Sequence, residues 1–161
     1  MVMILFLRWF YPKSHRRNDM KTRTLFIEDE RWGVSPYFNE LENNDFKCEL
    51  AKDGDEAIKK LQTQYFDLLS MDVMFPPGKL LDKGIMPINA GVKLLELIRK
   101  GKIKNCKPDI KVIILTAVIN YEIENEIKKL GISAYLKKPL EFNKVIDTFC
   151  SLKYQKEKEL S

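Results

Sequence analysis

From residue 20 onward, short apolar runs rich in β-branched and aromatic residues alternate with segments whose apolar positions recur at helical spacing. "TRTLFIEDE", residues 22–30, predicts a strand that ends in acid. Ser35-Pro36 then reads as an N-cap followed by proline at the first helical position, opening the short helix "YFNELEN". "KCELA" predicts a second strand. Asp53 and Glu56 stand at capping-box spacing ahead of the helix "AIKKLQTQY", where Ile58 and Leu61 share a face. "FDLLSM" predicts a third strand, separated by a long loop from the helix "GVKLLELIRK", with Val92, Leu95 and Ile98 in register. "IKVIILT" is an unbroken apolar run, as expected of a strand buried on both faces. "YEIENEIKKLG" places Ile123, Ile127 and Leu130 at i, i+4 and i+7, with Gly131 as its stop. "AYLKK" predicts a fifth strand and "EFNKVIDTFCSLK" a fifth helix lined by Phe142, Val145, Phe149 and Leu152. Five β-α units in succession predict an α/β fold: a doubly wound five-stranded parallel sheet with helices on both faces.

In such sheets ligands bind beyond the carboxyl ends of the strands, where strand order reverses, so functional residues are expected there. Strand one ends in Glu28-Asp29-Glu30, and strand three in Asp72, just before a bend at Pro76-Pro77-Gly78. Strand four ends in Thr116, and strand five runs into Lys138-Pro139. Carboxylates converging beside Asp72 would repel one another unless a cation sat among them. An all-oxygen site that keeps several waters suits Mg²⁺. Given the metal, the Asp72 carboxylate is a candidate nucleophile toward a phosphoryl group. Mg²⁺ and the Lys138 ammonium would neutralise the phosphoryl oxygens, and Thr116 would donate its hydroxyl to the new phosphate.

At these residues, and over residues 21–153, the chain resembles the receiver domain of two-component response regulators. "LFIEDE" is similar to that family's first-strand acidic pair, "LLSMDVMFP" to its phosphoacceptor strand, "VIILTA" to its switch-hydroxyl strand, and "AYLKKP" to its aromatic-x-x-Lys-Pro segment. The resemblance implies Asp72 as phosphoacceptor, Asp29 as principal metal carboxylate with Glu28 second, and metal coordination by the backbone carbonyl of Met74. It also implies a switch pair of Thr116 and Tyr135, phosphate pairing by Lys138, and a cis Lys138–Pro139 bond. The implied partners are a histidine kinase or histidine phosphotransfer protein and an unknown downstream protein. Two departures stand out. Glu28 occupies a position where the family more often has aspartate. Between Pro76 and Gly91 lies "PGKLLDKGIMPINA", residues 77–90, where the family has only a few residues. This insertion reads as a lid, a partner-docking loop, or a mobile surface loop without a role.

Length and composition narrow the class without changing it. A chain of 161 residues, 45% apolar and 32% charged, has room for one sizeable core. Of the +5 net charge, most sits in residues 1–20, which hold Arg8, Lys13, Arg16 and Arg17 against Asp19. The body is nearly balanced, so no nucleic-acid partner is expected. Cys48, Cys106 and Cys150 form neither a CxxC pair nor an even set, which suggests a reducing, cytoplasmic location. In the leader "MVMILFLRWFYPKSHRRNDM" the apolar run Val2–Leu7 is far short of the ~20 residues of a membrane span. It also lacks a basic region before the run and a small-residue cleavage site after it. An early start with Met20 as the true one, a docking arm, and a membrane-surface anchor through Trp9 and Phe10 all stay open.

Residues 154–161 read as a charged tail, too short for a DNA-binding or enzymatic output domain. A stand-alone signalling switch or relay, not an enzyme, is therefore expected to act through protein contacts. The alternatives are a receiver-like interaction scaffold that is not phosphorylated, and a haloacid-dehalogenase-like phosphatase. The phosphatase needs a second acid two residues after its nucleophile, where this chain has Met74.

Overall fold

The apolar run Lys111–Thr116 becomes β4 of one five-stranded sheet, with β1 Thr22–Ile27, β2 Phe46–Ala51, β3 Leu68–Met71 and β5 Ala134–Lys137. The computed structural model describes residues 21–159, with side chains as far as Lys153. All four pairings are parallel, in the order β2-β1-β3-β4-β5. Strand order therefore reverses between β1 and β3. The crossovers are α1 Ser35–Asn43, α2 Gly54–Thr63, α3 Ala90–Arg99 and α4 Tyr121–Lys129, and α5 Phe142–Glu159 closes the fold.

The three inner strands β1, β3 and β4 bury both faces, the edge strands β2 and β5 only in part, and side chains divide with a period of two. Leu25, Ile27, Leu69, Met71, Val112 and Ile114 pack under α2, α3 and α4. Phe26, Leu68, Ile113, Leu115 and Leu136 pack under α1 and α5, where Phe26 stacks on Phe149 at 5.4 Å. Each fully buried Leu, Ile or Phe is worth about 1.5–3 kcal/mol over leaving it exposed, and a one-residue slip of β4 would exchange its two faces. The doubly wound parallel sheet is thus the architecture that the run of β-α units predicts.

Several local expectations change. Ser35 is not an N-cap: it is the first residue of α1, Val34 precedes it, and no side chain caps the helix. A 3-10 turn, Arg31–Gly33, runs almost directly into α1, and the Tyr37 N–H bonds Val34 O at 3.0 Å, so backbone does the work assigned to the serine. At α2 the cap is as expected on one arm, Asp53 Oδ1 accepting the Glu56 N–H at 2.8 Å. The return arm reaches one residue further back, with Glu56 accepting from Lys52 N. Phe142 does not line the core. As the first residue of α5 it is 43% exposed and stacks on Tyr37 at 5.5 Å, while Ile146 takes a core place beside Val145, Phe149 and Leu152. The segment expected as a charged tail continues α5 to Glu159.

The 77–90 insertion packs against the body. Leu81 is 3% exposed within the core under α2, and Pro87–Asn89 forms a 3-10 turn leading into α3. The leader, with its three readings, lies outside the described residues. No helix among the described residues is long and apolar enough to cross a membrane.

Candidate functional site

Three backbone bonds carry the sheet ladder one step past its strands and fix three charged side chains at the same edge. Glu28 N donates to Ala51 O at 2.9 Å, Asp72 N to Ile27 O at 3.0 Å and Lys138 N to Thr116 O at 2.8 Å. Each residue therefore leaves its strand with a defined backbone direction. The Lys138–Pro139 peptide is cis.

Their side chains meet. Lys138 Nζ lies 2.7 Å from Glu28 Oε2 and 3.1 Å from Asp72 Oδ2. The other Asp72 oxygen, Oδ1, accepts from the Val73 N–H at 2.5 Å, the Met74 N–H at 3.2 Å and Thr116 Oγ1 at 2.6 Å. The Asp72 carboxylate is thus held by four donors in one rotamer, 9% exposed. Thr116, fully buried at the end of β4, also accepts the Val118 N–H at 3.2 Å.

Electrostatics at this edge follow from burial and pairing. Burial works against the Lys138 ammonium, but the hydrogen bonds and charges of Glu28 and Asp72 outweigh it and hold its pKa above the ordinary lysine value. Burial pushes the Glu28 carboxyl up, the Lys138 and Glu30 hydrogen bonds pull it down, and the Asp72 charge pushes it up again, leaving it above the usual range. Glu28 Oε1 is further tied to Glu30 N at 3.1 Å. A side chain at Gly33 would touch both Glu28 Oε2 and Lys138 Nζ at 3.7 Å, so the turn after β1 lies against this pair.

The structure brings together four of the expected residues, Glu28, Asp72, Thr116 and Lys138, with the Met74 backbone beside them. Asp29, the expected principal metal carboxylate, does not join them: it is exposed. Among the described residues no three acid, histidine or cysteine side chains are grouped so that they could hold a metal ion. The donors are all oxygen, which suits a hard cation such as Mg²⁺. In the conformation seen, however, Lys138 supplies the positive charge between Glu28 and Asp72, in place of three converging carboxylates. Tyr135 lies on β5 opposite Ile114, and its hydroxyl is buried without a hydrogen-bond partner. Burial, followed by the charges of Glu124 and Asp72, raises its pKa. The cysteines are free and take no part in this edge; burial pushes the Cys48 thiol up to about 12 and that of Cys106 to about 11.

Sequence reasoning missed the Val73 and Met74 amides, which any residue but proline would supply. It also missed Gly91, whose N–H bonds Val73 O at 2.9 Å and where a Cβ would lie 2.8 Å from the Val73 backbone. Gly91 began a helical pattern and gave no sign of this close approach.

A family model for the response regulator receiver domain matches residues 24–149. The chain belongs to that family. It is 29% identical over 122 residues to the hybrid signal transduction histidine kinase G of Dictyostelium discoideum, a match that covers 74% of this chain and 3% of that protein. Among solved structures, it is similar to a CheY-like response regulator receiver domain protein of Methanospirillum hungatei. That likeness has TM-score 0.69 and 23% identity, and covers 86% of this chain and 98% of that one. The receiver domain of a Francisella response regulator is similar at TM-score 0.65 and 25% identity, with 85% and 99% covered. The fold expected from the β-α units is the fold these structures share.

Proposed function

We propose that this chain is a phosphoacceptor switch or relay in which Asp72 takes a phosphoryl group from a histidine kinase or histidine phosphotransfer protein. An Asp72 carboxylate oxygen attacks phosphorus as the P–N bond to the donor imidazole breaks, and the imidazole nitrogen keeps the electron pair. The observation that carries this reading is the Lys138 ammonium 3.1 Å from Asp72 Oδ2 while Thr116 donates to Oδ1. A fixed cation and a hydroxyl donor stand where charge develops on the acyl phosphate. Lys138 would exchange part of its contact with Glu28 for the phosphoryl oxygens, and the Val73 and Met74 amides would keep the nucleophile oriented. A Mg²⁺ ion would neutralise the phosphoryl oxygens; Asp72, the Met74 carbonyl and Glu28 would hold it only with Asp29 turned in from the exposed position it has here, since among the described residues no three acids are grouped for a metal in this conformation. The chain modifies itself and is no enzyme in the ordinary sense, though water attack on the acyl phosphate would reset it.

Output runs through a protein contact. A groove of about 630 Å³ between α4, β5 and α5 is lined by Glu124, Lys128, Tyr135, Lys137, Pro139 and Lys144, and supports a docking face for a downstream protein. Thr116 and Tyr135 form the switch pair that couples Asp72 to it. The balanced charge of the body and the free thiols support a cytoplasmic setting without nucleic acid. The alternative is a receiver-like scaffold without phosphorylation; the observation favouring it is that, among the described residues, no third acid joins Glu28 and Asp72. Intact mass after incubation with acetyl phosphate and Mg²⁺ decides between them. One added phosphoryl group on the wild type and none on Asp72→Asn is expected. No addition to the wild type would leave the scaffold.

A further inference from the structure

The insertion at 77–90 is fastened to the start of α2 at consecutive points. Gly54 N donates to Pro76 O at 2.9 Å, and Pro77 O lies so close to Gly54 that no Cβ fits between them. Gly78, at φ +72°, sits against Asp55, again with no room for a side chain. Asp55 is the second residue of α2, and its Oδ1 accepts the N–H groups of both Lys79 (2.8 Å) and Leu80 (2.7 Å). Leu81 then enters the core. At the other limb, Gly91 N returns to Val73 O and Lys93 pairs with Asp82 at 3.4 Å. Nothing in the chemistry of Asp72 uses Asp55. Yet the four residues between Asp72 and the clamped Pro77 include both amides that hold Asp72 Oδ1.

We propose that Asp55 is a positioning residue for Asp72: by pinning the insertion to α2 it fixes the Val73–Pro76 backbone, and so the amides that orient the phosphoacceptor carboxylate. Without the clamp, the stretch after Asp72 keeps the Gly54–Pro76 and Gly91–Val73 bonds and the buried side chains of Val73, Phe75 and Leu81, but the Lys79 and Leu80 amides lose the acceptor that ties the insertion to α2. Misplacing a nucleophile by a fraction of an ångström lowers its reactivity without removing any reacting group. The interaction is hydrogen-bond acceptance by one oxygen, so a side-chain amide at the same position should replace it.

The proposal rests on the phosphoacceptor reading of Asp72, and its test separates the two. Labelling by acetyl phosphate with Mg²⁺ is measured across donor concentrations for wild type, Asp55→Asn and Asp55→Ala, together with amide hydrogen exchange by NMR. Asp55→Ala is expected to lower the maximal labelling rate about tenfold with little change in the half-saturating donor concentration. Its Val73 and Met74 amides are expected to exchange about tenfold faster. Asp55→Asn should behave like wild type in both measurements. Wild-type labelling and exchange in Asp55→Ala, or an Asp55→Asn as impaired as Asp55→Ala, would overturn the positioning role. A wild type that takes up no phosphoryl group would instead refute the phosphoacceptor reading, and exchange at Val73 and Met74 would still decide whether Asp55 holds that backbone.

Discussion

Thr116 Oγ1 donates a 2.6 Å hydrogen bond to Asp72 Oδ1 across the ends of β4 and β3, and the same hydroxyl oxygen accepts the Val118 N–H at 3.2 Å. One buried hydroxyl thus links the candidate phosphoacceptor to the first residues of the β4–α4 connection. A phosphate on Asp72 would bring about −1.5 to −2 charges and stronger acceptors to this point, and the hydroxyl that follows them draws Val118 with it. Thr116→Ala should therefore still take up a phosphoryl group, since Asp72 and Lys138 remain, but should show smaller chemical-shift changes in α4 on addition of beryllofluoride. Its folding stability should fall by about 1 kcal/mol, the usual net worth of one hydrogen bond. Urea denaturation and intact mass check the two halves, and loss of phosphoryl uptake would move Thr116 from switching to chemistry.

The Lys138 ammonium is the counter-ion of two acids, and Glu28 is only 3% exposed. Lys138→Met would leave Glu28 buried and unpaired. Breaking a buried pair costs about 3–5 kcal/mol, and the partial exposure of Lys138 brings the expected loss to about 2–3 kcal/mol. Adding Glu28→Gln should recover part of it, because the amide needs no counter-charge while Asp72 keeps only the three hydrogen bonds at Oδ1. Both changes should abolish phosphoryl uptake or slow it severely. Equal stability of Lys138→Met and wild type in urea would show that the pair does not hold in solution.

Strand existence and order were legible because buried parallel strands leave continuous apolar runs, of which "VIILT" is the plainest. The meeting of the candidate residues was legible for a related reason: Asp72, Thr116 and Lys138 stand where such runs stop, and strand ends in this fold lie on one edge. Other features were not legible. Asp29 and Glu28 are neighbours of the same charge, and only the backbone direction after Ile27 decides that Glu28 turns in to Lys138 while Asp29 faces water. Ser35-Pro36 carries a genuine capping signature, overridden by a 3-10 turn whose bonds are all backbone. Asp55 lies two residues after the cap residue Asp53 and reads as one more first-turn acid; its partners are amides 24 and 25 residues away, which no local pattern shows.

Glu49, on β2, offers an acid-range test away from the site. It bonds Lys60 at 2.9 Å and Arg23 at 3.0 Å. Burial pushes its carboxyl up, but the hydrogen bonds and charges of Lys60 and Arg23 outweigh that and leave its pKa below the ordinary value. A carboxyl with a lowered folded pKa contributes stability above its unfolded pKa of 4.5, and that contribution fades as pH falls through the folded value. Glu49→Gln should therefore cost about 1 kcal/mol at pH 7 and progressively less below about pH 4.5. Chemical denaturation at pH 7 and pH 3 checks the sign; a pH-independent difference would assign the effect to packing.

Tyr135 separates packing from switching. Its ring packs against the core under α4, with the Lys128 and Lys137 ammonium groups 5.6 and 5.9 Å from the ring centre. Its hydroxyl is buried and has no hydrogen-bond partner, an arrangement that costs about 1–3 kcal/mol relative to a solvated hydroxyl. An outward rotamer would relieve that cost, and a switch through Tyr135 would draw on the difference. Tyr135→Phe removes the penalty and keeps the ring. The variant should be as stable as wild type or more stable by up to about 1 kcal/mol, and should take up a phosphoryl group at Asp72 at an unchanged rate. With the inward state favoured, its α4 amides should move less than those of wild type when beryllofluoride is added. Thermal denaturation and amide shift titration read these separately. A Tyr135→Phe protein that is less stable by 1 kcal/mol or more would show that the hydroxyl has a partner in solution. Full-size α4 shifts in a protein of unchanged stability would mean that the Tyr135 hydroxyl takes no part in carrying the signal from Thr116.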